Sequence, residues 1–278
     1  MTYVILFVLT SLASAHGIRF AQVCGCRMRW LGALAYISAL ACAGAWAGAS
    51  GARVPASSAW LGLAAGLTLG LTYLAFNAVI RKFGVGVAHL TRQLSIVAPI
   101  AASILVWMEP VPPRRALGLC LALAGVVLMG RPVERDSLRG RGLWWLLPFA
   151  LLITAGATNT LFKTYTETER TAAVPSYLLF LFGGAAASTT LVAVLTEGCP
   201  GWRDLLFGLV LGLDNAAMNY FRVRAIGSDL GVKVFPTMAL GVVLASLFLA
   251  MILWKERYRG RVLAGVLAAL CALALINM

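Results

Sequence analysis

Acidic residues are scarce in this chain: 10 Asp and Glu among 278 residues, against 23 Lys and Arg. Charged residues of both signs together make up 12%. Soluble domains carry about 25%. The shortage excludes an ordinary soluble globular protein, whose surface needs charge that this chain does not have. Histidine is rarer still, at His16 and His89 alone. The six cysteines are Cys24, Cys26, Cys42, Cys120, Cys199 and Cys271. None has a zinc-binding spacing to a histidine or to another cysteine pair, so free thiols and no metal site are expected. There is no Walker motif and no nucleophile–base constellation. The expectation is therefore no catalytic residue, no cofactor and no enzymatic activity.

What is present is apolar. Hydrophobic residues are 61% of the chain, and the mean hydropathy is +0.88. The formal charge of +13 would suit nucleic acid. The basic residues, however, stand singly or in pairs between apolar runs, as in the loops of a membrane protein, so no nucleic-acid partner is expected. The lipid bilayer is the expected surrounding, in a multi-pass protein of a cell (inner) membrane. Residues 1–16 carry no Lys or Arg. A secretory signal needs a basic start, so this segment is taken as a retained first helix.

A bilayer-crossing helix needs about 20 apolar residues. Ten segments meet or approach this, at about 3–18, 30–49, 58–80, 88–108, 116–130, 143–162, 175–195, 204–221, 229–254 and 262–278. The fifth is short and must borrow from its flanks. Lipid leaves no alternative to helix, because it cannot satisfy open backbone groups. Trp30, Trp60, Trp107, Trp144, Trp145, Trp202 and Trp254 fall near segment ends, as an interfacial aromatic belt would.

The two halves repeat each other. LGLTYLAFN at Leu69–Asn77 recurs as LGLDNAAMN at Leu211–Asn219. Glu109, Arg114 and Gly118 recur as Glu256, Arg261 and Gly265. The expected division is a first five-helix repeat over 1–130, a linker over 131–142 and a second five-helix repeat over 143–278. Five is odd, so the second copy enters from the opposite side and the repeat is inverted. Inverted repeats place a site at their interface.

Ionisable groups inside spans are costly and mark function by default. Asp214 lies deepest, as a proton site, as a partner for a substrate ammonium, or as half of an ion pair. Asn215 and Asn219 share a helical face, and their counterparts by repeat are Tyr73 and Asn77. Arg92 and Gln93 lie in the fourth segment, Lys233 in the ninth. Together Tyr73, Asn77, Arg92, Gln93, Asp214, Asn215, Asn219 and Lys233 are the candidate substrate-binding residues. Lys163, four residues after Asn159, reads as a snorkelling group at a helix end. Glu109 reads as structural, bonding the turn beside Arg114. Pro99 and Pro236 are expected to kink their helices.

The ten segments, the polar position late in the third and eighth, and the two boxes EPVPPRRALG (Glu109–Gly118) and ERYRGRVLAG (Glu256–Gly265) resemble the drug/metabolite transporter superfamily, EamA-like type. The resemblance spans nearly the whole chain. It implies an all-α membrane protein with ten transmembrane helices, built as two inverted five-helix repeats around a central cavity. It also implies alternating access. A small-molecule substrate, protons coupled through Asp214, and a monomer or homodimer are expected. The expected function is export or exchange of a small polar metabolite or drug-like solute. The alternatives are a flippase or enzyme for a lipid-linked substrate, and a non-transporting membrane scaffold.

Overall fold

The computed structural model describes residues 1–51, 54–83, 85–129, 146–169, 173–254 and 260–278. The expected linker at 131–142, Trp144, Trp145 and Glu256 lie outside the described residues, as do the side chains of His89 and Trp254.

Among the described residues the structure is all-helical. The helices are α1 (Thr2–Val23), α2 (Met28–Ala49), α3 (Ala56–Phe83), α4 (Val85–Leu94), α5 (Val97–Leu105) and α6 (Pro113–Met129). There follow α7 (Leu146–Glu169), α8 (Val174–Thr196), α9 (Trp202–Ile226), α10 (Gly231–Trp254) and α11 (Gly260–Asn277). Seven are long and apolar enough to cross a membrane: α1, α2, α3, α7, α8, α10 and α11. At 25 residues α9 has the length. It contains Arg203, Asp204, Asp214, Arg222 and Arg224, which lower its hydropathy. The chain is thus a multi-pass membrane protein.

Two departures from the expected segments have local causes. The fourth segment is not one kinked helix but two, α4 and α5, separated at Ser95 and Ile96. Pro99 has no N–H to give the carbonyl four residues earlier, which is that of Ser95. That carbonyl instead accepts the Ala98 N–H at 3.2 Å, three residues on. Pro99 then sits in the first turn of α5, where a missing N–H costs nothing. Pro236, by contrast, lies inside an unbroken α10. The second departure is α7, which runs on past the expected end at residue 162 to Glu169.

The chain divides into two compact units, residues 1–74 with 157–228, and 75–156 with 229–278. This is a division by contact, distinct from the division by repeat, and each unit draws on both halves of the sequence.

In the first unit α1 lies antiparallel to α9. The Phe20 and Phe207 rings stand 6.0 Å apart, and the Ser14 hydroxyl donates to Asp214. Glycines let α3 approach α8 and α9 approach α2. A Cβ on Gly70 would collide with the Ser188 hydroxyl. A Cβ on Gly212 would stand 2.5 Å from the Ala35 carbonyl and collide with Ser38. At one end the α1–α2 and α8–α9 connections are clamped together. Asp204 accepts the N–H of Arg27 at 2.9 Å and that of Gly201 at 2.8 Å. Trp30 Nε1 donates to the Gly198 carbonyl at 2.6 Å.

In the second unit α6 lies antiparallel to α11 around a core of Ala122, Val126, Ala269, Ala272 and Ile276, with Leu240 of α10. A Cβ on Gly118 would stand 3.3 Å from the Ala272 carbonyl, and one on Gly125 would stand 3.1 Å from the Gly265 carbonyl. Glu109 proves structural, as expected, but its partner is distant rather than the adjacent turn. Its carboxylate accepts the N–H groups of Gly231 at 2.9 Å and Val232 at 2.8 Å, capping the start of α10.

Candidate functional site

The eight sequence-derived candidates divide between the units. Tyr73, Asp214, Asn215 and Asn219 belong to the first; Asn77, Arg92, Gln93 and Lys233 belong to the second.

In the first unit, Asp214 sits midway along α9, half-buried, and accepts the Ser14 hydroxyl through Oδ2. Among the described residues no Lys or Arg forms an ion pair with it. One turn on, Asn219 is fully buried at 0% exposure. Its Nδ2 donates to Asn215 Oδ1 at 2.6 Å and to the Asn215 carbonyl at 3.0 Å. Its Oδ1 has no hydrogen-bond partner. A buried amide oxygen left without a donor costs about 1–3 kcal/mol, so it marks a place where a donor fits. Tyr73 lies edge-on to Tyr36 at 6.0 Å and donates its hydroxyl to the Met28 carbonyl at 2.5 Å. That bond ties α3 to the first residue of α2.

In the second unit, Arg92 closes α4, where a cation suits the carboxyl end of a helix. Its guanidinium lies 5.6 Å from the centroid of Phe76. Lys233 in the first turn of α10 pairs with Asp229 at 2.9 Å. Burial raises the Asp229 pKa, but the Lys233 ammonium and the Leu230 N–H outweigh it, so the carboxyl titrates below its ordinary value. Asn77 and Gln93 are half-buried on α3 and α4.

A further polar cluster in the first unit contains a residue the sequence placed at a helix end. Because α7 continues to Glu169, Lys163 is internal and only 1% exposed. Its ammonium pairs with Glu167, one turn further on. Asn159, one turn before Lys163, accepts a hydrogen bond from Arg222 of α9. The Arg222 guanidinium lies over the Phe162 ring, 4.4 Å from its centroid. Phe162 meets the Tyr177 ring edge-on at 5.7 Å. Tyr177 stacks on Tyr165 at 3.8 Å and 13°. Neither tyrosine stood out in the sequence, and nothing in their spacing pointed to a cation nearby. The signal that was available for Lys163 is the run after it: no Pro or Gly follows until Pro175. The helix had no reason to stop.

Holding a cation at the centre of a span costs at least about 2.5–3.5 kcal/mol by insertion measurements. Here each cation is given aromatic faces, amides or a carboxylate. Among the described residues no group of three or more His, Cys, Asp or Glu is placed to hold a metal ion.

Comparison with known proteins gives a partial likeness. No protein-family model matches the chain. An uncharacterized protein of Haemophilus influenzae is 25% identical over 215 residues, 76% of this chain and 72% of that one. A probable 4-amino-4-deoxy-L-arabinose-phosphoundecaprenol flippase subunit, ArnE of Shigella flexneri, is 35% identical over 74 residues. That match covers 27% of this chain and 66% of the subunit, just under two thirds of its length. The fold is shared with a protein crystal structure at a TM-score of 0.78 and 16% identity, covering 99% of this chain and 94% of the other. The chain therefore shares its fold with a protein of known structure, and over part of its length it is similar to a probable flippase subunit.

Proposed function

We propose that this chain is a secondary transporter of the EamA-like drug/metabolite type. It moves a small polar solute across the inner membrane by alternating access between ten spans arranged as two inverted repeats. One observation carries the reading: α9 keeps Asp214, Asn215, Asn219 and Arg222 among apolar helices. Within that set, Asn219 is fully buried with an unpartnered oxygen. Polar and ionisable groups held inside a membrane span are costly and mark a solute path by default.

The packing supports the repeat. Gly70 and Gly212 stand in equivalent places in LGLTYLAFN and LGLDNAAMN, and each meets a serine, Ser188 on α8 and Ser38 on α2. Exchanging the two halves turns one contact into the other. The α6–α11 pair behaves likewise: the approach of Gly118 to Ala272 becomes the approach of Gly265 to Gly125. Antiparallel mates are what an inverted repeat requires.

Thermal-shift screening of the purified chain against a library of polar metabolites tests the proposal. At least one solute is expected to raise the melting temperature, and Asn219→Ala is expected to remove the shift. The similarity to the ArnE subunit favours a second reading, movement of a lipid-linked solute. Under it, a polyisoprenyl phosphate would stabilise the protein and free metabolites would not. Stabilisation by neither class would leave the scaffold reading.

A further inference from the structure

The cluster on α7, α8 and α9 is rich in donors. Arg222 brings a positive charge and Tyr177 a hydroxyl, while the Lys163 ammonium is already paired with Glu167. Tyr177 is 0% exposed and its hydroxyl has no hydrogen-bond partner. The groups are connected through their rings: Arg222 over Phe162 at 4.4 Å, Phe162 edge-on to Tyr177 at 5.7 Å. Asn219, three residues before Arg222 on the same face of α9, leaves its Oδ1 without a donor. A buried hydroxyl without an acceptor, one aromatic ring away from a guanidinium, calls for a group with several acceptor oxygens. A buried amide oxygen without a donor calls for a hydroxyl. An oxyanion that carries a hydroxyl supplies both, and charge-assisted bonds to it are the strong kind.

We propose that Arg222, Tyr177 and Asn219 form a subsite for a phosphate monoester, with the phosphate held by the Arg222 guanidinium and the Tyr177 hydroxyl, and a solute hydroxyl held by Asn219. Arg222 is fixed for this role by Asn159 and by the Phe162 ring. The phosphate belongs either to a soluble phosphorylated metabolite or to a lipid headgroup; the chemistry recognised is the same. This inference rests on the transporter reading and narrows its substrate class.

The test uses the full chain in nanodiscs of zwitterionic lipid, with binding followed by intrinsic fluorescence. The probes are inorganic phosphate, glycerol 3-phosphate and a polyisoprenyl monophosphate supplied in the disc, with glycerol as the neutral control. Saturable binding of at least one phosphate probe is expected, and none of glycerol. Tighter binding of glycerol 3-phosphate identifies a soluble substrate; tighter binding of the polyisoprenyl phosphate identifies a lipid one. Arg222→Gln is expected to weaken binding by about tenfold or more, and Tyr177→Phe by about fivefold. Should Arg222→Gln fail to fold, Tyr177→Phe carries the test, since it removes one oxygen from an intact ring stack. No saturable phosphate binding, or dissociation constants within about twofold across wild type and both variants, overturns the subsite. Solute flux measured on the same protein separates the two levels. Flux of neutral solutes without phosphate binding removes the subsite alone. Phosphate binding without any flux keeps the subsite and removes the transporter.

Discussion

Gly212 of α9 and Ala35 of α2 approach so closely that a methyl group on the glycine would stand 2.5 Å from the alanine carbonyl. No real Cβ is accommodated at that distance without backbone movement. Gly212→Ala is therefore expected to destabilise the protein by about 1–3 kcal/mol through overpacking, despite the better helix propensity of alanine. Gly48→Ala is the control, since nothing lies within 4 Å of its added methyl. Thermal unfolding in detergent of the two variants should separate them by several degrees, with Gly48→Ala at or above wild type.

Arg222 and Phe162 make a cation–π contact at 4.4 Å. In a desolvated setting such a contact contributes up to about 2 kcal/mol. A double-mutant cycle with Arg222→Gln and Phe162→Leu should return a coupling of about 1–2 kcal/mol. A coupling indistinguishable from zero would show that the ring merely packs beside the guanidinium.

The Glu109 carboxylate is 8% exposed and gives one oxygen to each of two N–H groups at the start of α10. Glutamine keeps one acceptor and turns a donor toward the other N–H. Glu109→Gln should cost about 1–3 kcal/mol, and Glu109→Ala at least as much. The loss should appear in melting temperature and in faster proteolysis near residue 231.

Asp229, outside the spans, titrates below its ordinary value because the Lys233 ammonium and the Leu230 N–H outweigh the effect of burial. A folded-state pKa below the unfolded one stabilises the fold at pH above the unfolded value, about 3.9. That contribution fades as pH falls through the folded value. Asp229→Asn should therefore lower the melting temperature at neutral pH and match wild type at the acid end. The difference should be small and should shrink with salt, since the pair is solvent-exposed.

Most of the helices were legible in the sequence because lipid imposes long apolar runs, and these stand out against so few charges. The failures came where one residue was given too much or too little weight. Pro99 was expected to bend a helix; it instead left the Ser95 carbonyl without its usual donor, and the helix divided there. Lys163 was taken as an end because charge normally marks an interface, yet a full extra turn and more of α7 follows it. Asp214, Asn215 and Asn219 were singled out as candidates because polar groups in apolar helices are conspicuous. Tyr165 and Tyr177 were not, because a tyrosine is equally at home in a core, and its meaning depends on the cation that the fold brings to it. Glu109 was recognised as structural, but its partner lay far along the chain at Gly231, beyond the reach of any local pattern.

Transport itself is addressed directly by one measurement. The purified chain is reconstituted in proteoliposomes, incubated with a defined mixture of neutral and phosphorylated polar metabolites, and the vesicle contents are analysed by mass spectrometry. At least one solute should enter faster than in protein-free vesicles, and Asn219→Ala should slow its entry about tenfold while the protein remains folded. Entry of every solute at the protein-free rate, in vesicles that contain folded protein and that also fail to move a polyisoprenyl phosphate between leaflets, would contradict it.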